Sequence, residues 1–171
     1  MTRPHGTTTM TVRPMLPAAA MLLLLTACAS QPRPLQGGFS ETTPHAVVES
    51  DATGLPVRWG GRIVRVEPGP NQTCFEMIST RLTSTGRPWW GSDDSNGRFI
   101  ACRTGFYDPA VFEVNREVTF TGTVTGYDTR RIGEYDYRFP KVAADVVYLW
   151  PKRDAVRVIT RPEPWPWWGW W

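Results

Sequence analysis

Histidine is nearly missing from this chain of 171 residues, which holds only His5 and His45. Ser-His-Asp and Cys-His chemistry needs an imidazole beside its nucleophile. His45 stands in or beside a polar, unpatterned stretch, a poor setting for a general base. Cysteine is scarce as well, and the three present share no ligand spacing with a histidine, which excludes a zinc site of the usual kind. Walker and dinucleotide glycine patterns are missing. Asp93 and Asp94 are neighbours in a Gly/Ser-rich stretch without the further carboxylates of a calcium loop. These absences predict a protein that is not an enzyme and binds no metal or dissociable cofactor. Long hydrophobic runs are missing too, apart from one that begins near Met15 and is too short to span a bilayer comfortably.

That run ends in Leu25-Thr26-Ala27-Cys28, and the charge ahead of it is positive, from Arg3 and Arg13. Positive residues, an apolar segment and small residues before the cut describe an export signal. The tetrapeptide resembles the bacterial lipoprotein box: an aliphatic residue, two small ones, then the cysteine that is acylated. The resemblance implies cleavage before Cys28 and a covalent lipid there, the one prosthetic group expected. Ala29 follows, where an aspartate commonly retains lipoproteins in the inner membrane, so the outer membrane is expected.

Removing 27 of 171 residues leaves 144, enough for one domain with a core. Arg3 and Arg13 leave with the signal while every acid stays, so 17 basic residues face 16 acidic ones. A chain this near neutrality gives no electrostatic case for nucleic acid. With Cys28 acylated, Cys74 and Cys102 form an even pair in an oxidising compartment, where a disulfide is expected and two buried free thiols are the alternative.

Along the chain, residues 1–27 read as signal, 28–45 as a lipidated N-terminus and flexible tether, 46–153 as the folded domain and 154–171 as a Pro/Trp-rich tail. Val57 and Trp59 share one parity and Val64 and Val66 the other, which predicts a long, curved strand with a bulge at Gly60-Gly61. Strands are expected at 73–82 and 97–104, pairing so that Cys74 and Cys102 are neighbours. The loop 83–96 between them exposes Trp89 and Trp90. Asp108-Pro109 reads as an N-cap followed by proline at the first helical position, giving a short helix over 108–115. Residues 117–125 alternate Val118, Phe120 and Val124 with threonines, one face buried and the other wet. Two further strands are expected on either side of Pro140.

This order predicts an all-β fold with one short helix, a small OB-like Greek-key barrel, with a β-sandwich as the alternative. Such a barrel can bind an oligosaccharide or a single strand on exposed aromatics, for which Trp89, Trp90 and Tyr107 are candidates. Five of the nine tryptophans, Trp165, Trp167, Trp168, Trp170 and Trp171, crowd the last seven positions. Indoles favour the headgroup boundary, so membrane contact is one reading. Folding back over an apolar groove of the barrel is the other.

The domain resembles the Slp family of starvation-inducible outer-membrane lipoproteins. The resemblance is carried by Trp59-Gly60-Gly61, Thr73-Cys74-Phe75-Glu76, Gly97-Arg98-Phe99, Gly105-Phe106-Tyr107-Asp108-Pro109, Val118-Thr119-Phe120-Thr121-Gly122, and Tyr137-Arg138-Phe139-Pro140 leading to Tyr148-Leu149-Trp150. It implies a lipid-anchored envelope protein with a structural or stress-related role, on the periplasmic side of a Gram-negative outer membrane. Expected partners are the membrane, an envelope glycan or other outer-membrane proteins. Only lipidation transfers onto a residue, Cys28.

Overall fold

The computed structural model describes residues 30–153, so Cys28 and the tryptophans from Trp165 to Trp171 lie outside the described residues. Five strands close a barrel in the order β1-β2-β3-β5-β4: β1 Pro56–Pro68, β2 Gln72–Thr80, β3 Arg98–Thr104, β4 Glu117–Ile132 and β5 Tyr135–Leu149. Neighbours are antiparallel except β3 and β5, which run parallel from Ile100↔Lys141 to Cys102↔Ala143. The small all-β barrel is therefore what forms, rather than two packed sheets.

Alternation along each strand turns one apolar set inward. Val57, Trp59 and Ile63 of β1 meet Phe75 and Met77 of β2, Phe99 and Ala101 of β3, Val118, Phe120 and Val124 of β4, and Val142 and Ala144 of β5. The rings pack edge to face, Trp59 on Phe99 at 5.4 Å and Phe99 on Phe120 at 5.9 Å between centroids. Each such side chain contributes roughly 1.5–3 kcal/mol by leaving water.

β1 is long, but its bulge falls at Val64, where the register with β2 shifts between Ile63 and Arg65, and not at Gly60-Gly61. That shift brings Val66 onto the parity that faces the core. The glycine at 61 answers to close approach instead: a Cβ there would lie 1.8 Å from the Ile78 carbonyl oxygen. The two strands expected around Pro140 are one. Pro140 pairs with Tyr127 on β4, while pairing with β3 begins only at Lys141, so the proline stands where β5 has a single partner.

Residues 108–115 form turns rather than the expected helix. Asp108 Oδ1 accepts from the Ala110 amide at 2.8 Å, and its carbonyl accepts from Val111 and Phe112. Tyr107 and Phe112 must then both reach Phe75, at 5.6 and 5.4 Å, and the chain must return to Ile63, whose carbonyl accepts from the Asn115 amide. Asn115 makes that return in the left-handed region, φ 70°, and a continuous helix cannot.

The stretch read as a tether is part of the compact unit from Gln31 onward. A 3₁₀ turn, Arg33–Leu35, buries Leu35 completely, and the Ser40 amide bonds the Pro56 carbonyl at 2.8 Å. The helix α1, Pro44–Ser50, follows, capped by Thr43 Oγ1 on the Ala46 amide with proline in its first turn. It places Val47 in the barrel core. Likewise the threonine face of β4 is not wet throughout: Thr119 and Thr121 are 0% and 4% exposed. Thr119 Oγ1 donates to the Gly86 carbonyl at 2.8 Å and accepts from Trp150 Nε1 at 2.9 Å. A second layer of structure thus covers part of the barrel wall.

Candidate functional site

Cys74 and Cys102 stand directly opposite in the β2–β3 ladder with Cα atoms 4.1 Å apart, and they are joined by a disulfide. The pairing follows from register. Phe75 and Met77 must face the core, which turns Cys74 to the outer face and brings it against Cys102.

Trp89 and Trp90 do not stand free as the sequence suggested. Both are half-buried, because the loop after β2 folds down on the barrel through the Trp89 amide to Arg81 carbonyl bond, at 3.0 Å, and the Leu82↔Pro88 bridge. Each indole carries a guanidinium, Arg81 over Trp89 at 3.4 Å and Arg62 over Trp90 at 4.1 Å. Trp90 Nε1 is buried without a hydrogen-bond partner among the described residues. Tyr107 is separate from this pair, packed with Phe75 and Phe112. The structure therefore does not gather the three aromatics into one platform.

A cleft of about 400 Å³ lies between residues 39–44 and the strands β1 and β2, lined in part by Phe39, Arg58, Trp59, Arg81 and Asn96. A smaller hollow of about 160 Å³ shares Thr80, Arg81 and Asn96 and adds Trp89, Ser92 and Asp94. Trp59 Nε1 holds the rim by donating to the Thr42 carbonyl at 2.7 Å. Arg58 lies over the Phe39 ring and donates from Nη1 to Gln31 Oε1 and the Leu35 carbonyl, while its Nε is buried with no partner among the described residues. Two guanidinium groups, aromatic faces and Ser, Thr and Asn side chains suit a hydroxylated or anionic ligand. Sequence reasoning missed Phe39, Arg58 and Arg81. The one local signal was Arg58-Trp59; Arg81 stands eight residues before Trp89, and nothing in the sequence joins the two.

Charged groups elsewhere serve as joints. Glu76, 6% exposed, takes Arg65 at 2.8 Å and Arg98 at 3.0 Å, while Glu117, 9% exposed, takes Arg87 at 2.6 Å and Arg153 at 3.0 Å. A carboxylate out of water needs such partners. Lys152 hydrogen-bonds Glu113 and holds its carboxyl below the usual range. Burial pushes the Tyr127 phenol up, with Asp51 adding to the effect and Arg138 opposing it. His45 is exposed on α1, 3.3 Å from Glu49. Asp93 and Asp94 are exposed, and no group of three His, Cys, Asp or Glu side chains is gathered for a metal among the described residues.

The sequence model of a family described as Outer membrane lipoprotein Slp family matches residues 25–171. An uncharacterized protein of Haemophilus influenzae is 31% identical over 134 residues, 77% of this chain and 73% of its own length. From Escherichia coli, the uncharacterized lipoprotein YeaY is 29% identical across 86% of this chain and 78% of its own, and the outer membrane protein Slp 29% across 80% and 74%. No solved structure is a significant match to the chain.

Proposed function

The chain belongs to the Outer membrane lipoprotein Slp family, and from that premise we propose that it is a non-catalytic structural or starvation-related component of the envelope, acylated on Cys28 and held on the periplasmic side of the outer membrane. The observation that carries this reading is where the family match begins. Residue 25 opens the Leu25-Thr26-Ala27-Cys28 box, so the acylation signal belongs to the shared region and not to a divergent leader. One acyl chain holds a protein only marginally, at roughly 0.8 kcal/mol per buried methylene, and the three chains of a mature bacterial lipoprotein make release negligible. The Cys74–Cys102 bond suits an oxidising periplasm. Its partners in this reading are the bilayer and other envelope components. Fractionation of cells tests the anchor: the native protein is expected in the salt-washed outer membrane, and Cys28→Ala, which loses both the acyl chains and the cut ahead of them, is expected to be absent from it. A Cys28→Ala variant that still fractionates with the outer membrane contradicts the anchor.

A second reading is favoured by the cleft that Arg58 and Arg81 line together with Ser, Thr and Asn side chains. In it, the cleft binds an envelope glycan, with Arg58 and Arg81 on its acidic or hydroxyl groups. A bound glycan stabilises the folded state in proportion to its occupancy. A saturable thermal shift with peptidoglycan fragments that Arg81→Ala abolishes supports this, and the same shift in the variant rejects the cleft.

A further inference from the structure

Gln31 and Arg153 meet the fold at the same loop. Gln31 opens the compact unit, and a Cβ on Gly86 would lie 2.8 Å from its Nε2, so Gln31 rests against the loop 82–88. Arg153 donates from Nη2 to the Pro88 carbonyl of the same loop at 3.1 Å. Arg87, between those two contacts, donates to Glu117 Oε2 at 2.6 Å and to the Pro151 carbonyl at 2.8 Å. Glu117 binds Arg153 as well, so one buried carboxylate ties the loop to the stretch after β5. Cys28 precedes Gln31 by three residues, a reach of about 11 Å at full extension.

We propose that the surface around loop 82–88 is the lipid-facing side of the body, lying on a bilayer of anionic phospholipid. The inference rests on acylation of Cys28: with almost no spacer, the acyl chains draw this face onto the headgroups. The chemistry of the face agrees. Arg62, Arg87, Arg116, Lys152 and Arg153 line one shallow concavity with Val114, against the carboxylate of Glu117 and, through Lys152, that of Glu113. Cations beside an anionic surface and apolar residues at the headgroup level are both favourable there, and Val114 is 59% exposed. The opposite pole is defined by β4. It starts at Glu117 and ends at Ile132, a contour of about 50 Å at roughly 3.3 Å per residue, so the hairpin tip at Gly133 and Glu134 lies far along the strand from the lipid.

Single substitutions Ser84→Cys and Glu134→Cys place an environment-sensitive fluorophore at the face and the far tip of the full acylated chain. The Cys74–Cys102 bond and the thioether at Cys28 leave the introduced thiol as the labelling site. The protein is reconstituted in vesicles of phosphatidylethanolamine and phosphatidylglycerol that carry a headgroup nitroxide. Quenching at position 84 is expected to exceed that at 134 severalfold. Equal quenching at 84 and 134, or stronger quenching at 134, overturns the orientation. Intact mass of the same sample separates the two levels: wrong quenching on acylated protein refutes this inference alone, and protein without acyl mass refutes the anchor as well.

Discussion

Replacing Leu35 with alanine asks whether the polar stretch after the anchor is structure or spacer. Leu35 is fully buried, its Cδ1 would lie 3.3 Å from a Cβ on Gly86, and its carbonyl accepts from Arg58 Nη1 at 3.1 Å. The substitution removes three buried carbons, roughly 2.4 kcal/mol of transfer free energy at about 0.8 kcal/mol each. A cavity adds to this unless the surroundings collapse, and buried Leu→Ala changes span about 2–5 kcal/mol. Here one wall is a surface loop that can settle inward, so a loss of about 2–3 kcal/mol is expected. Urea unfolding of the unacylated chain from residue 28 onward measures it, with Gln36→Ala as an exposed neighbour that should stay within about 0.5 kcal/mol. If Leu35→Ala matches Gln36→Ala, the segment is not docked and the short reach from Cys28 to the barrel is wrong.

Three further outcomes are expected. Reducing the Cys74–Cys102 bond, which closes 28 residues of sequence, should lower stability by about 3.5 kcal/mol in the chain-entropy model; an unchanged urea midpoint under reductant refutes that. Gly61→Ala drives a Cβ onto the Ile78 carbonyl oxygen and should destabilise by about 3 kcal/mol or more, whereas a near-neutral result would mean that β1 does not approach β2 as described. Tyr127 Oη donates within reach of the Val47 and Ala52 carbonyls, and its pKa is raised in the folded state, mainly by burial. The neutral phenol therefore stabilises the fold below its ordinary pKa of 10.0, and that contribution fades as pH rises through the higher folded value. A native chain with an alkaline loss of stability and a Tyr127→Phe variant with a shallower one is the expected pair of curves; parallel curves reject the assignment.

Much of the barrel was legible because period-2 alternation survives burial of one face. Val118, Phe120 and Val124 announce β4, and the core parity of Phe75 and Met77 sets the partner of Cys74. What hid was whatever packs on the outside of the wall. Leu35 and Phe39 are single apolar residues among Pro, Gln, Gly and Ser, without period, so composition read the segment as a spacer. Thr119 looks solvent-facing by alternation and is buried by Gly86 and Trp150, which come from 33 and 31 residues away. The bulge at Val64 leaves no mark in residue type, whereas Gly60-Gly61 looks like one and serves close approach. At the site, Trp89 and Trp90 could be found as aromatics in a loop. Their engagement by Arg81 and Arg62 depends on how that loop folds back, which no local pattern records.

The anchored body is tested most directly at its amino terminus. Intact mass and N-terminal peptide analysis of protein purified from the envelope should give a chain that starts at Cys28 and carries a diacylglyceryl thioether and an N-acyl group. A mature terminus with an unmodified Cys28 thiol, or one that retains residues ahead of it, contradicts the account.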